Sequence, residues 1–436
     1  MNNIKEQMGK KSNLIYSMNS VDIQDKIEEY LPIRIDEKNK YGEVFTPMSL
    51  INEMMDKLPK KVWKNRNLKW LDPANGIGNF PMVIFERLNK GLKDIIPNEE
   101  ERKKHIIENM LYMVELNEKN IGVSKKIFGN NANIYCGSFL EDGWKDYFGV
   151  DKFDVIIGNP PFNKPKSGVQ TGSYGGRTLW DKFIINSLDS LKPSGYLGFI
   201  NPAGWRSTGQ LHHLWNIMTT KQILYLHIYN KKEGKKNFNV GSRFDLYVLQ
   251  NTDNTKPTEV IDELGDTYHF KLNDMPFLPN YAYKEIGRIL TNMDEGVDVI
   301  YSSSTYETRK KWVKDTKTDK FKYPVVHSIT KKGLDFWYSN TNKKGHFGVP
   351  KVILNFNENQ YSHKEQNDYE GKFGMSQLSF GLPISSKKEG DLILKAIDTP
   401  MFKKIIASTK WGVFQTDYRM FNHFKKDWYK YIIKKN

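Results

Sequence analysis

The chain has 436 residues, 38% of them apolar, a formal charge of +15, a pI near 9.3 and a single cysteine, Cys136. That length supports two domains of ordinary size; one cysteine excludes an internal disulfide and a cysteine-based zinc cluster, and no run of about 18 apolar residues is present to span a bilayer. The opening MNNIKEQMGKKSN has no apolar stretch behind its charges, so a cytoplasmic protein without a secretory signal, membrane association or required metal is expected.

Residues 1–37 read as an N-terminal extension. From about residue 68 the chain alternates short apolar runs with longer stretches of helical period, the pattern of a parallel sheet flanked by helices. The predicted strands are LKWLDP (68–73), MLYMVEL (110–116), ANIYCG (132–137), FDVIIGN (153–159), GYLGFIN (195–201), ILYLHIY (223–229) and FDLYVLQ (244–250). Helices are expected over Pro81–Lys90, Lys103–Asn109, Glu118–Phe128, Leu179–Leu191 and Gly209–Thr219. The fold class is therefore α/β, a doubly wound, mostly parallel, seven-stranded Rossmann-like sheet over 38–250. The Gly-, Ser- and Lys-rich stretch from Asn163 to Arg177 follows a strand end and reads as a mobile lid. After Gln250 the alternation stops, and NTDNTKPTE reads as a linker into a mixed α+β second domain, 251–436, rich in Tyr, Trp, Phe and Lys.

Charge is unevenly placed. Residues 301–436 hold 26 Lys+Arg against 13 Asp+Glu, a net of +13, whereas 251–300 hold 4 against 10, a net of −6. A basic excess gathered in one third of the chain points to a polyanionic partner. Phosphate contacts are expected from Lys164, Lys166 and Arg177 in the lid, from Lys235, Lys236 and Arg243, and from Lys310, Lys311 and Lys314 beside Trp312. The run Lys231, Lys232, Lys235, Lys236 fits a solvated face as well as it fits a hairpin touching phosphates. His212-His213 lacks ligand spacing and reads as structural or exposed.

The strongest chemical signal is Asn159-Pro160-Pro161-Phe162, closing the strand FDVIIG. Two prolines stiffen the corner and remove two donors, so the Asn159 amide oxygen and the Pro160 carbonyl can both accept from a planar amino group. Gripped by both hydrogens, such a nitrogen aims its lone pair at an electrophile without a metal or a covalent intermediate. Phe162 offers a flat face for a base. Upstream, Asp72-Pro73-Ala74-Asn75-Gly76-Ile77-Gly78-Asn79-Phe80 joins a strand to a helix; its glycines allow close backbone approach, and the Asp72 carboxylate suits an ammonium or hydroxyl. Glu115, ending the next strand, stands where such folds hold ribose hydroxyls.

Tyr41-Gly42-Glu43-Val44-Phe45-Thr46-Pro47, DPANGIGNF, VEL, GSFL, GNPPF and FNVGSRFDLYVLQ occur in an order that resembles the gamma-class amino-methyltransferases of bacterial restriction–modification systems, of the Eco57I and TaqI type. The resemblance covers roughly residues 38–250. It implies S-adenosyl-L-methionine as cofactor and methyl transfer to N6 of an adenine flipped out of double-stranded DNA. It places Tyr41, Thr46 and the backbone near Phe45 over the methionine end. Asp72, Pro73, Ala74, Gly76, Gly78, Asn79 and Phe80 would contact the methionine and ribose, Glu115 the ribose hydroxyls with Leu116 beside it also at the cofactor, and Phe139 the cofactor's adenine. Asn159 to Phe162 would be the catalytic tetrad, with Asn159 also beside the cofactor. Ser138 stands where the family carries an acidic residue, and its hydroxyl can accept the same hydrogen bond more weakly. The tail 251–436 is similar in style to the family's target-recognition region. Cleavage, if it accompanies methylation, is assigned to a separate restriction endonuclease. Asn-Pro-Pro-aromatic corners also serve methyl transfer to RNA bases and glutamine amides, and a DNA-binding subunit that keeps the fold without the chemistry is a third reading.

Overall fold

The computed structural model describes residues 14–17, 22, 46–164, 178–356, 360–412 and 415–435. Contacts divide the chain into two compact units, one of residues 1–203 and 216–271, the other of 204–215 and 272–436.

The first unit is built on a nine-stranded sheet: β1 (Trp70–Asp72), β2 (Leu111–Glu115), β3 (Asn133–Cys136), β4 (Phe153–Gly158), β5 (Leu191–Pro202), β6 (Lys221–Tyr229), β7 (Phe244–Asp253), β8 (Thr258–Ile261) and β9 (Thr267–Phe270). Their order is β3-β2-β1-β4-β5-β7-β6-β8-β9, with β7 and β9 antiparallel to the rest. Each central strand reads as an uninterrupted apolar run because both its faces are covered: β1 and β2 are buried at every position. The helices of this unit include α1 (Met48–Asp56), α2 (Asn79–Gly91), α3 (Glu99–His105), α4 (Glu118–Phe128), α5 (Gly143–Phe148), α6 (Trp180–Asp189) and α8 (Lys231–Phe238), while α7 (His212–Thr219) begins in the second unit's segment 204–215 and ends in the first unit's 216–271. In α4 the Asn117 side chain caps the first turn by accepting from Lys119 N, Gly129 follows the last, and Ile121, Ile127 and Phe128 turn inward.

The sheet corrects three expectations. It has nine strands, not seven, and the linker read at NTDNTKPTE does not exist: β7 runs to Asp253, and Gln222 Oε1 accepts from the amides of Thr255 and Lys256 to turn the chain into β8. A four-residue strand directly behind Pro257 is too short for its alternation to outweigh the turn signals. The unit accordingly ends after Lys271 rather than at Gln250. The helix expected over Lys103–Asn109 splits into α3 and a wide turn at Ile106–Met110.

The second unit holds two four-stranded sheets. One has the order β10 (Ile300–Tyr301), β17 (Ser379–Pro383), β14 (Lys351–Asn355), β15 (Asn367–Asp368). The other runs β11 (Val313–Lys314), β13 (Gly333–Ser339), β12 (Tyr323–Thr330), β16 (Gly374–Met375). Helices α9 (Tyr283–Gly287), α10 (Lys387–Ile397), α11 (Pro400–Ser408) and α12 (Trp428–Lys434) accompany them. The tail's aromatic richness without period is explained by packing: Trp428 stacks on Phe402 at 5.2 Å and meets Phe421 and Phe424, none of which shares a regular helix face with it. No helix among the described residues is long and apolar enough to cross a membrane.

Candidate active site

β1 lies between β2 and β4, so the chain leaves the sheet in opposite directions on its two sides, and the carboxyl ends of these strands open the crevice where open α/β sheets take ligands. Asp72, Glu115 and Asn159 sit at those three strand ends.

Asp72 is fully buried. Its Oδ1 accepts from Ala74 N (3.1 Å), while Oδ2 has no partner among the described residues. Burial pushes its carboxyl up to about 8, the bond from Ala74 opposing and the nearby Glu115 charge adding to the rise. The carboxylate rests on β4 because residue 158 is glycine: a Cβ there would meet Asp72 Oδ1 at 2.7 Å. Gly76 (φ 56°) and Gly78 (φ 101°) carry the loop into α2 in the left-handed region, which a side chain resists. Glu115 staples that loop, its Oε2 accepting from Gly76 N and its Oε1 from Asn117 N, each at 2.7 Å. Asn75 continues the staple through Ser124 (2.9 Å), and the buried Asn79 side-chain oxygen at the start of α2 has no partner among the described residues. Pro73 and Phe80 are buried and Ala74 half-buried. Leu116, beside Glu115, is 59% exposed, an apolar face left open at the strand end.

The Asn159 corner is fixed by a residue far away in sequence. Asn159 Nδ2 donates to Thr46 Oγ1 (3.0 Å), and Thr46 is buried just ahead of α1. With its nitrogen committed, the Asn159 amide leaves Oδ1 buried with no partner among the described residues. Pro160 is buried; Pro161 and Phe162 are half-buried, with Phe162 packed on the core and its carbonyl accepting from Leu179 N (3.1 Å). Sequence reasoning missed the Thr46–Asn159 bond, which no spacing encodes.

Phe139 departs from expectation. It is 2% exposed and stacked against both Trp144 (5.4 Å) and Phe183 (5.6 Å), so it anchors the turn after β3 and presents no open face to an adenine. Ser138 beside it is half-buried, and its hydroxyl accepts from Leu140 N (3.2 Å). Tyr41 and Phe45 lie outside the described residues, as does most of the expected lid.

Among the expected phosphate-binding residues, Lys166 and Arg177 also lie outside the described residues; Lys164, Lys235, Lys236, Lys311 and Lys314 are exposed and Lys310 half-buried. Lys310 reaches over the Trp312 ring and Lys314 over Phe321, at 5.7 and 5.0 Å. Arg243 is a correction: it forms a two-pronged ion pair with Glu263 (2.5 and 3.2 Å), both side chains at most 12% exposed, so its charge is spent inside the first unit. Lys231–Lys236 form α8, capped by Asn230, rather than a hairpin. His212 and His213 bond the carbonyls of Ser207 and Gln210, and no group of three His, Cys, Asp or Glu among the described residues is placed to hold a metal.

Residues 83–238 match the Eco57I restriction-modification methylase family model, so the resemblance read from the motifs holds over that segment. The chain is 30% identical to an uncharacterized adenine-specific methylase of Mycoplasma pneumoniae, over 37% of this chain and 55% of that one. It is 23% identical to the modification methylase CviBIII of Paramecium bursaria Chlorella virus NC1A, over 62% and 69%. It thus spans little more than half of the Mycoplasma relative. In fold it is similar to the type IIL restriction-modification enzyme MmeI in complex with DNA, with TM-score 0.50 and 12% identity over 86% of this chain and 66% of that one.

Proposed function

We propose that this chain, carrying a restriction-modification methylase segment over residues 83–238, is an S-adenosyl-L-methionine-dependent DNA methyltransferase that modifies N6 of an adenine turned out of the duplex. The observation that carries this reading is the Asn159 amide. Its nitrogen is tied to Thr46, and its oxygen is a buried acceptor without a donor among the described residues, which is what an incoming amino group supplies. A buried unpaired acceptor costs about 1–3 kcal/mol, and the bond formed on substrate binding removes that cost. The fit to the cofactor rests on the Asp72 oxygen without a partner among the described residues, on the Gly76–Gly78 turn and on the exposed Leu116 face. Asp72 suits the methionine ammonium, the Glu115 carboxylate suits ribose hydroxyls, and Leu116 suits an adenine. When bound, S-adenosyl-L-methionine supplies an electrophilic sulfonium methyl. Asn159 Oδ1 and the Pro160 carbonyl hold the two amino hydrogens and orient the nitrogen, Phe162 supports the base, and the proton leaves from the product ammonium, which is acidic enough to need no strong general base. The duplex would be held by exposed lysines such as Lys164, Lys235 and Lys311 in the cytoplasm, with cleavage left to a separate endonuclease. Transfer of labelled methyl to mixed duplex DNA, followed by hydrolysis to nucleosides, tests the reading; label in cytosine and none in adenine, or no label in the DNA at all, would refute it.

Asp72 gives a pH signature. The folded protein holds a proton on this carboxyl up to about pH 8, whereas the unfolded chain releases it near 3.8. The contribution to stability is therefore complete below the lower value and lost as pH climbs toward 8. A bound ammonium favours the ionised form, so cofactor binding should release a proton and tighten across that window. Calorimetric titration in two buffers of different ionisation heat checks this, with Asp72→Asn expected to abolish the release.

Thr46→Val should lower single-turnover methyl transfer about tenfold by freeing the Asn159 amide to rotate, and Thr46→Ser should restore it. A raised cofactor Kd with unchanged turnover would instead assign Thr46 to the methionine carboxylate.

A further inference from the structure

We propose that Arg419 reads a guanine edge of the target DNA through a cavity of about 430 Å³ in the second unit; the proposal rests on the DNA-modifying reading above. That volume falls in the roughly 300–1,000 Å³ range of specific ligand pockets. Tyr301, Phe356 and Tyr418 form an aromatic wall, with Tyr301 and Tyr418 4.8 Å apart and Tyr301 and Phe356 5.3 Å apart.

Arg419 is held in this wall from two sides. Its guanidinium lies over the Tyr418 ring at 5.4 Å, and its Nε donates to Asp417 Oδ1 at 2.7 Å. Asp417 is fixed in turn: Oδ2 accepts from Thr208 Oγ1 at 2.9 Å, and Oδ1 also accepts from Arg419 N at 3.3 Å. Residue 209 is a glycine where a Cβ would come within 3.3 Å of Arg419 Nη2, so backbone closes on the guanidinium without crowding it. The pinning uses only Nε. Among the described residues Nη1 and Nη2 make no hydrogen bond, and the side chain is 42% exposed against 11% for Asp417. What is presented is a planar fork, fixed in position and tilt, with its paired donors unspent. Solvated lysines such as Lys236 have no such fixation; it limits entropy loss on binding and selects for ligand geometry.

A rigid pair of parallel N–H donors matches two acceptors on one edge, offered in DNA by guanine O6 and N7 in the major groove and by phosphate oxygens. The aromatic wall decides between them. Flat apolar rings suit the edge and face of a base, whereas a phosphate would lose hydration against them. The restraint by Asp417 points the same way, because a carboxylate beside the guanidinium weakens its pull on an anion while sharpening its direction.

Selection of bound duplexes from a random-sequence pool tests this with the full chain and needs no methyl transfer. The wild type should enrich a motif containing an invariant G·C pair. Arg419→Lys, which keeps the charge and loses the fork, should blur that one column, with preference for guanine falling roughly 5- to 150-fold and the other columns unchanged. Asp417→Asn should blur the same column to a smaller degree. The proposal is overturned if R419K keeps every column, or if the wild type enriches no motif. It is also overturned if R419A weakens all sequences equally while the salt slope falls by about 0.9, the mark of a phosphate contact. An enriched motif altered by R419K, without label entering adenine, would sink the methylation reading and leave this one standing.

Discussion

Replacing Asn159 by alanine is expected to cut methyl transfer to adenine by about 10²–10³-fold, the scale seen when one preorganised group that stabilises a transition state is removed. The variant loses both ends of the amide. The oxygen that would accept from the target nitrogen disappears, and the Thr46 hydroxyl loses its donor. Cofactor affinity should fall far less, because Asp72, the glycine turn and Glu115 hold one another without Asn159: Glu115 bonds Gly76 and Asn117, and Asp72 bonds Ala74. Single-turnover rates with labelled cofactor, set beside cofactor titrations, separate the two effects. A variant transferring methyl groups at near wild-type rate would leave the Asn-Pro-Pro corner a structural turn.

Lys351→Met should destabilise the second unit by roughly 3–5 kcal/mol, because it leaves a carboxylate buried without its ammonium partner. Lys351 in β14 is paired across the sheet with Asp368 in β15, and both side chains are shielded from solvent. Its Nζ donates to Asp368 Oδ2 (2.7 Å) and to the carbonyls of His346 and Val349 (3.0 and 3.1 Å). Burial lowers the lysine's pKa, with the contact to Asp368 working against that drop. Asp368 retains only backbone donors from Lys372 and Phe373 when the ammonium is gone. Adding Asp368→Asn to Lys351→Met should recover part of the loss, since the stranded charge is removed. Denaturant unfolding of the full chain measures both variants; equal losses for the single and double change would show that the charge is not what costs.

Much of the first unit was legible in the sequence. The seven apolar runs from 68 to 250 all became strands; a central strand such as β1, β2 or β4 is covered on both faces, must be apolar on both, and so stands out at any position. Glu118–Phe128 matched to the residue, since Asn117 and Gly129 bracket it with distinct capping chemistry. Weak local signals failed where several acted against a short element, as at β8 and β9. A run of lysines gave charge without conformation, and α8 emerged because Asn230 caps it.

The order of strand ends and the residue types they carry were set by local pattern alone: an acid at the end of β1, another at the end of β2 and an Asn-Pro-Pro corner after β4 require nothing beyond residue type and alternation. Which partner each polar atom takes was decided only by the tertiary structure. Thr46 meets Asn159 across 113 positions, Thr208 meets Asp417 across 209, and Glu263 takes the charge of Arg243 that the sequence offered to phosphate. Periodicity records which face of an element is buried, whereas hydrogen-bond partners depend on how distant segments are brought together, and no local spacing carries that information.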